Sequence, residues 1–303
     1  MKSLIKSSLF VLFFVPVFVF AQKNQKETLT PPQFEHLRIN VPDKEATAKW
    51  YVENVGLEII PSKNKEVVYV ADKDHNFMLE LSAIPNLKNK YFDIHIDAFH
   101  MAFEGQKSIE AYAEKMLANG GVQEGKLYRN LIGDYVNNVR DPNGFTSQLI
   151  YRVNQFFPKP VKSTLRFEHF AYNTPDQKIA ALWYVEFMDL NVPWSKDIDT
   201  TKNNYRNYRV PYVGDAGRNM SIELFGKPEV PMTLAQMKHD EVHIAYTTNE
   251  PEKLAKRIVY GGGKIVTPAR TESNGDIIID MVDAYNFPIR LIKRAKPILV
   301  KKK

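Results

Sequence analysis

Polar and apolar positions alternate from Glu35 to Pro42 as they do in a β-strand, with Phe34, His36 and Arg38 on one face and Leu37 and Ile39 on the other. Pro42-Asp43 then opens a helix with Asp43 as N-cap, and Ala48, Tyr51, Val52 and Val55 recur at helical spacing until Gly56 ends it. Strand-like runs follow at Leu57–Ile60, Glu66–Ala71 and Phe77–Ala83, divided by turn-rich segments such as Asp72-Lys73-Asp74. The unit reads β-α-β-β-β. A second unit keeps the order: a strand at Phe99–Phe103, a helix at Ser108–Asn119 closed by Gly120-Gly121, then strands at Leu131–Val139 and Phe145–Tyr151 around the turn Asp141-Pro142-Asn143-Gly144. Phe167–Asn173 with the helix Asp176–Met188 opens a third. Val242–Thr247 with the helix Pro251–Tyr260 and the glycine stop Gly261-Gly262-Gly263 opens a fourth.

The third and fourth units repeat the first and second. Phe34-Glu35-His36 returns 133 residues later as Phe167-Glu168-His169, and Trp50-Tyr51-Val52-Glu53 returns as Trp183-Tyr184-Val185-Glu186. The offset then widens to 143, where Leu79-Glu80-Leu81 answers Ile222-Glu223-Leu224 and His100 answers His243. It settles at 142 for Gly120-Gly121 with Gly262-Gly263 and Asp141 with Asp283. The extra residues lie between Leu190 and Met220, a stretch holding Tyr205, Arg206, Tyr208, Arg209, Tyr212 and Arg218 that reads equally as a pocket loop or a surface hairpin.

The first 21 residues do not belong to the fold. Lys2 and Lys6 precede the apolar run Leu9–Phe20, and Val19-Phe20-Ala21 supplies the small residues of a cleavage site. This is a secretory leader cleaved near Ala21, too short to anchor the chain in a bilayer, so the expected location is periplasmic or secreted. The sequence has no cysteine, which excludes disulfides, thiolate–zinc sites, a thiol nucleophile and a lipid-bearing cysteine. About 280 residues remain, enough for two domains of ordinary size. The apolar share of 44% and charged share of 25% are those of a globular protein. Of the +6 formal charge, much sits in Lys293-Arg294-Ala295-Lys296 and Lys301-Lys302-Lys303, read as a frayed basic tail rather than a nucleic-acid surface.

Paired β-α-β-β-β units, a His on the first strand, a Pro-Asp helix start and a final Asp-Pro-Asn-Gly turn resemble the vicinal oxygen chelate superfamily, which includes glyoxalase I, extradiol dioxygenases and bleomycin-resistance proteins. The resemblance spans the mature chain. It implies an α+β fold of four βαβββ modules paired into two half-barrel domains, residues 32–153 (modules 32–85 and 95–153) and 165–296 (modules 165–227 and 240–296), with a linker at 154–164 and a tail at 297–303. In metal-using relatives two modules form a cup, with ligands on the first and last strand of each. Carried onto this chain, the first domain would offer His36, Glu80, His100 and Gln148, and the second His169, Glu223 and His243 with Arg290 in the fourth place. Two imidazoles and a carboxylate suit a divalent ion of the zinc, iron, manganese, nickel or cobalt kind. Gln148 keeps a carbonyl oxygen, whereas Arg290 cannot ligate a cation, so the first domain is expected to be the better metal site.

Glu80 is expected to alternate between ligand and base, as the matching Glu does in glyoxalase-like members. Arg38, two residues from His36, and Arg290 are expected to bind substrate. His75 falls in a turn and reads as solvated; Trp50-Tyr51 and Trp183-Tyr184 read as helix faces packed on a sheet. The expected protein is an exported, metal-dependent lyase, isomerase or dioxygenase acting on vicinal oxygens of a small substrate. The alternative is a non-catalytic small-molecule binding protein of the bleomycin-resistance type. Whether neighbouring modules pair within the chain or across a dimer is left open by the sequence.

Overall fold

The structure, a computed structural model, describes residues 29–85, 87, 90–105, 109–130, 133–153, 164–191, 211–215, 217, 220–227, 229–230 and 241–299. The expected leader, nearly all of the expected linker and most of the tyrosine- and arginine-rich insertion lie outside the described residues.

The first module is β1 (Gln33–Val41), α1 (Lys44–Asn54), β2 (Glu58–Ile60), β3 (Val67–Ala71) and β4 (Met78–Ala83). The second is β5 (Phe99–Gly105), α2 (Glu110–Ala118), the two-residue strands β6 (Val122–Gln123) and β7 (Tyr128–Arg129), β8 (Tyr135–Arg140) and β9 (Thr146–Tyr151). The third comprises β10 (Leu165–Asn173), α3 (Gln177–Met188), β11 (Tyr212–Gly214) and β12 (Ser221–Phe225). The fourth comprises β13 (Val242–Thr247), α4 (Pro251–Tyr260), β14 (Lys264–Thr271), β15 (Ile277–Val282) and β16 (Pro288–Lys293). The fold is α+β. Asp43 caps α1 as expected, its carboxylate accepting from the Ala46 amide at 2.9 Å.

The four modules pair into two eight-stranded sheets, but the partners are not neighbours in sequence. One sheet runs β14-β15-β16-β13-β1-β4-β3-β2 and so joins the first module to the fourth. The other runs β11-β12-β10-β5-β9-β8-β6, with β7 also pairing β8, and joins the second to the third. The seams are antiparallel pairs of first strands, β1 with β13 and β10 with β5. This corrects the expected grouping of residues 32–153 into one cup and 165–296 into another. We call the sheet containing β1 the first cup and the sheet containing β5 the second.

Sequence neighbours are instead held together through their helices. Trp50 on α1 donates from its indole to the Asn119 carbonyl at 2.8 Å, beyond the end of α2, and Trp183 on α3 does the same to Gly261 beyond α4. Tyr51 donates to the buried carboxylate of Asp141 at 2.9 Å, and Tyr184 to that of Asp283. The repeated Trp-Tyr pair is thus packing plus a hydrogen-bonded clamp between consecutive modules. Replacing Tyr51 with Phe should leave a buried carboxylate oxygen without its donor and cost about 1–3 kcal/mol, read from urea unfolding. A change under a few tenths would show the hydroxyl to be idle.

Asp141 also anchors the turn that follows, accepting from the Asn143 and Phe145 amides. Gly144 closes that turn at φ +88°, and a Cβ there would fall 2.6 Å from the Phe92 ring. The matching residue of the fourth module is Asn286 at φ 63°, the side chain that tolerates this region best. The core between sheets and helices is built from rings such as Phe34, Phe99, Phe170 and Phe287.

Candidate functional site

A β-bulge sets the chemistry of both cups. In the seam of the first sheet Phe34 faces Tyr246 and His36 faces Ala245, so Glu35 is an extra residue; in the second, Phe167 faces Phe103 and His169 faces Ala102, so Glu168 is extra. The bulge breaks the alternation on which neighbouring side chains take opposite faces. Phe34 therefore joins Leu37 and Ile39 in the core, not the face of His36 as the alternation predicts. Glu35 turns onto His36 Nδ1 at 2.9 Å, and Glu168 onto His169 Nδ1 at 2.6 Å.

These carboxylates are themselves pinned. Glu168, fully buried, takes two hydrogen bonds from Arg152 at 2.7 and 2.8 Å, and Arg152 reaches Asp134 at 2.8 Å. Glu35 is held in the same way by Arg294, which also bonds Asp276 at 2.6 Å. Burial pushes both carboxyls up, but the guanidinium and the imidazole outweigh it and hold each at about 2. Each is therefore an ionised acceptor, which puts a histidine proton on Nδ1 and turns Nε2 toward the cup. His100 reaches the same state differently, with Nδ1 on the Ile96 carbonyl at 2.8 Å.

The four modules place their functional residues by one rule. A first-strand residue points into the cup, and the residue two beyond its register partner on the parallel last strand lies beside it. His36 pairs with Met78 and Glu80 follows; His169 pairs with Ser221 and Glu223 follows. The same register sets Gln148 beside Ala102 on the His100 face, and Arg290 beside Ala245 on the His243 face. Because the sheets join modules one with four and two with three, the ligand sets are redistributed. Among the described residues two groups come together, each with donor atoms within 4.8 Å of one another: His36, Glu80 and His243, and His100, His169 and Glu223. The expected set His36, Glu80, His100 and Gln148 is not assembled. Gln148 belongs with His100, His169 and Glu223, while Arg290 belongs with His36, Glu80 and His243.

In the second cup, Glu223 Oε2 lies 3.0 Å from His169 Nε2 and 3.5 Å from His100 Nε2, and Tyr212 donates to Oε1. The Nε2 atoms of His100 and His169 are buried without a hydrogen-bond partner. Burial raises the Glu223 carboxyl, yet the two imidazoles, His169 foremost, hold it well below the usual range. Burial lowers the His169 pKa, but Glu223 and Glu168 reverse that and raise it. In the first cup, both oxygens of Glu80 are taken at hydrogen-bond distance, Oε1 by Arg38 Nη1 at 2.6 Å and Oε2 by the Tyr69 hydroxyl at 2.7 Å, with His36 Nε2 at 3.5 Å. Arg290 bonds Asp280 at 2.7 Å across the β15–β16 pair.

Sequence reasoning missed the outer residues Glu35, Glu168, Arg152, Arg294, Asp134 and Asp276, and the tyrosines Tyr69 and Tyr212. All eight recur at the offsets already visible in the repeat, which was the signal available. His75, read as solvated, is nearly buried and bonded to Glu58.

The chain belongs to the Glyoxalase/Bleomycin resistance protein/Dioxygenase superfamily, whose model matches residues 33–149 and 166–284. Among solved structures it is similar to glyoxalase I from Zea mays, with 18% identity, TM-score 0.63, and 86% of this chain and 92% of that one covered. It is also similar to a putative dioxygenase from Bacillus subtilis subsp. subtilis str. 168, with 12% identity, TM-score 0.60, and 89% and 88% covered. At these identities the likeness is one of fold. No curated protein matches the sequence.

A divalent ion of the kind this family uses fits the second cup. Its two buried imidazole nitrogens are softer donors suited to zinc-like or iron-like ions, and the ionised carboxylate supplies charge. Glu168, held by Arg152, fixes the His169 ring with Nε2 toward Glu223.

Proposed function

We propose that this protein is an exported, divalent-metal-dependent enzyme acting on adjacent oxygens of a small substrate, with its metal centre in the second cup. The observation that carries this reading is the convergence of the buried His100 Nε2 and His169 Nε2, 3.5 and 3.0 Å from Glu223 Oε2, on that ionised carboxylate. His100, His169 and Glu223 would hold the ion, with the Gln148 carbonyl as fourth donor. The ion supplies Lewis acidity, polarising two neighbouring oxygens of a substrate and stabilising the anion that forms when a proton leaves. The proton-transfer role that the resemblance implies for Glu80 falls to its equivalent Glu223, because Glu80 is fixed by Arg38 and Tyr69. Tyr212 orients the Glu223 carboxylate, while Phe225 beside His100 adds an apolar wall.

The leader at residues 1–21 supports export. Export in turn disfavours the glutathione adduct of glyoxalase I as substrate, since that thiol belongs to the cytosol. Lyase, isomerase and dioxygenase chemistry all remain compatible with two imidazoles and one carboxylate.

Purified protein analysed by plasma mass spectrometry should carry a transition-metal ion. Turnover of α-hydroxycarbonyl or catechol substrates should disappear with chelation and return with metal. Protein that purifies free of metal, takes none up, and still binds a small ligand would instead identify a sequestering protein.

A further inference from the structure

The first cup carries the same His–Glu–His geometry, yet four positions around it differ in charge from their register equivalents in the second. Arg38, facing Glu80 across β1 and β4, corresponds to Ala171, facing Glu223. Arg290 beside Ala245 corresponds to Gln148 beside Ala102. Asp280, opposite Arg290, corresponds to Asn138, opposite Gln148. Arg270, opposite Ile278, corresponds to Tyr128, opposite Val136. Every one of the four is charged in the first cup and neutral in the second.

Those charges form two ion-paired groups. Arg38 holds Glu80 at 2.6 Å; Arg290 and Arg270 hold the two oxygens of Asp280 at 2.7 and 2.8 Å. Arg290 stands beside Ala245, two residues beyond the register position of His243, which puts it on the same face of the sheet as His243. A carboxylate that a metal ion would need is thus already neutralised by a fixed cation of the protein. The C-terminal residues reinforce this. Ile298 and Leu299 pack on the cluster Ile60, Val67, Tyr69, Ala71 and Met78, and Tyr69 is the residue that fixes Glu80. Ile298 and Leu299, at the start of the expected basic tail, are therefore packed against the cup wall.

We infer that the first cup takes no metal ion, the Arg38 guanidinium standing in the cation's place with Arg290 as a second barrier, so that the chain binds one ion and not two. The count of one rests on the proposed metal centre of the second cup; the exclusion from the first does not. Cobalt(II) titration of the full chain, read by its visible absorption, tests both separately. One equivalent should bind to the unaltered protein, and His243→Ala should leave that number unchanged. In a His169→Ala background no ion should bind, and adding Arg38→Ala with Arg290→Gln, which copies the residues of the second cup, should create a site that His243→Ala then removes. Binding of a second ion to the unaltered protein, or residual binding in His169→Ala that His243→Ala abolishes, would overturn the inference. So would a folded triple variant, checked by circular dichroism, that still rejects cobalt. Failure of the unaltered protein to bind any ion would refute the metal centre of the second cup while leaving the His169→Ala comparison decisive for the first.

Discussion

His169→Ala is expected to strip the divalent ion from the second cup, whereas His36→Ala, the same change in the first cup, should leave metal content untouched. Both histidines sit on bulged first strands with Nδ1 bonded to a buried carboxylate, so their local settings match. They differ in what Nε2 meets. His169 Nε2 approaches an ionised Glu223 that no arginine among the described residues bonds, while His36 Nε2 faces a Glu80 already bonded to Arg38. Glu168→Gln keeps the ligand but removes the charge that fixes its ring, and should weaken metal binding by about 10–100-fold. His169→Ala should exceed that loss. Competition against a chromophoric chelator measures both. Equal losses from His36→Ala and His169→Ala would defeat the assignment of the metal to one cup.

Arg152→Ala is expected to be the most destabilising single change on the described surface of either site. Arg152 is 3% exposed and its partners Glu168 and Asp134 are 0% and 2% exposed, so removing it strands two carboxylates out of water. Breaking a buried ion pair from one side costs about 3–5 kcal/mol. The equivalent Arg294 has side-chain exposure of 10%, and its loss should cost less because water can reach Glu35 and Asp276. Arg152→Ala should also loosen metal binding, since a Glu168 carboxyl that has lost its guanidinium drifts up from about 2 and becomes a poorer anchor for His169 Nδ1. Guanidinium unfolding curves of the two variants give the comparison. A cost below about 1 kcal/mol for Arg152→Ala would mean that the network relaxes around the loss.

How much of this was legible beforehand depends on the range of the interaction that decides it. The strand–helix–strand order, the Asp43 cap and the glycine stops follow from contacts within a few residues, and the sequence carries them. The duplication and the equivalence of His36 with His169, Glu80 with Glu223 and His100 with His243 are properties of the text itself. The bulge at Glu35 and Glu168 was not legible, because an extra residue in a strand exists only relative to the partner strand. Period-two alternation consequently assigned Phe34 to the wrong face and gave Glu35 no role.

The amino-acid sequence by itself determined the family, the four modules and the list of residues from which a metal centre can be made. Only the tertiary structure decided which of them meet. Each first strand has an open edge that any equivalent strand can satisfy with the same backbone hydrogen bonds, so local pattern is silent on the choice. Pairing β1 with β13 and β5 with β10 moved His100 and Gln148 to the side of His169 and Glu223, and left His36 and Glu80 with His243 and Arg290. That exchange set Arg290 beside His243 in the cup that holds His36 and Glu80, and brought Gln148 to the cup that holds His100, His169 and Glu223.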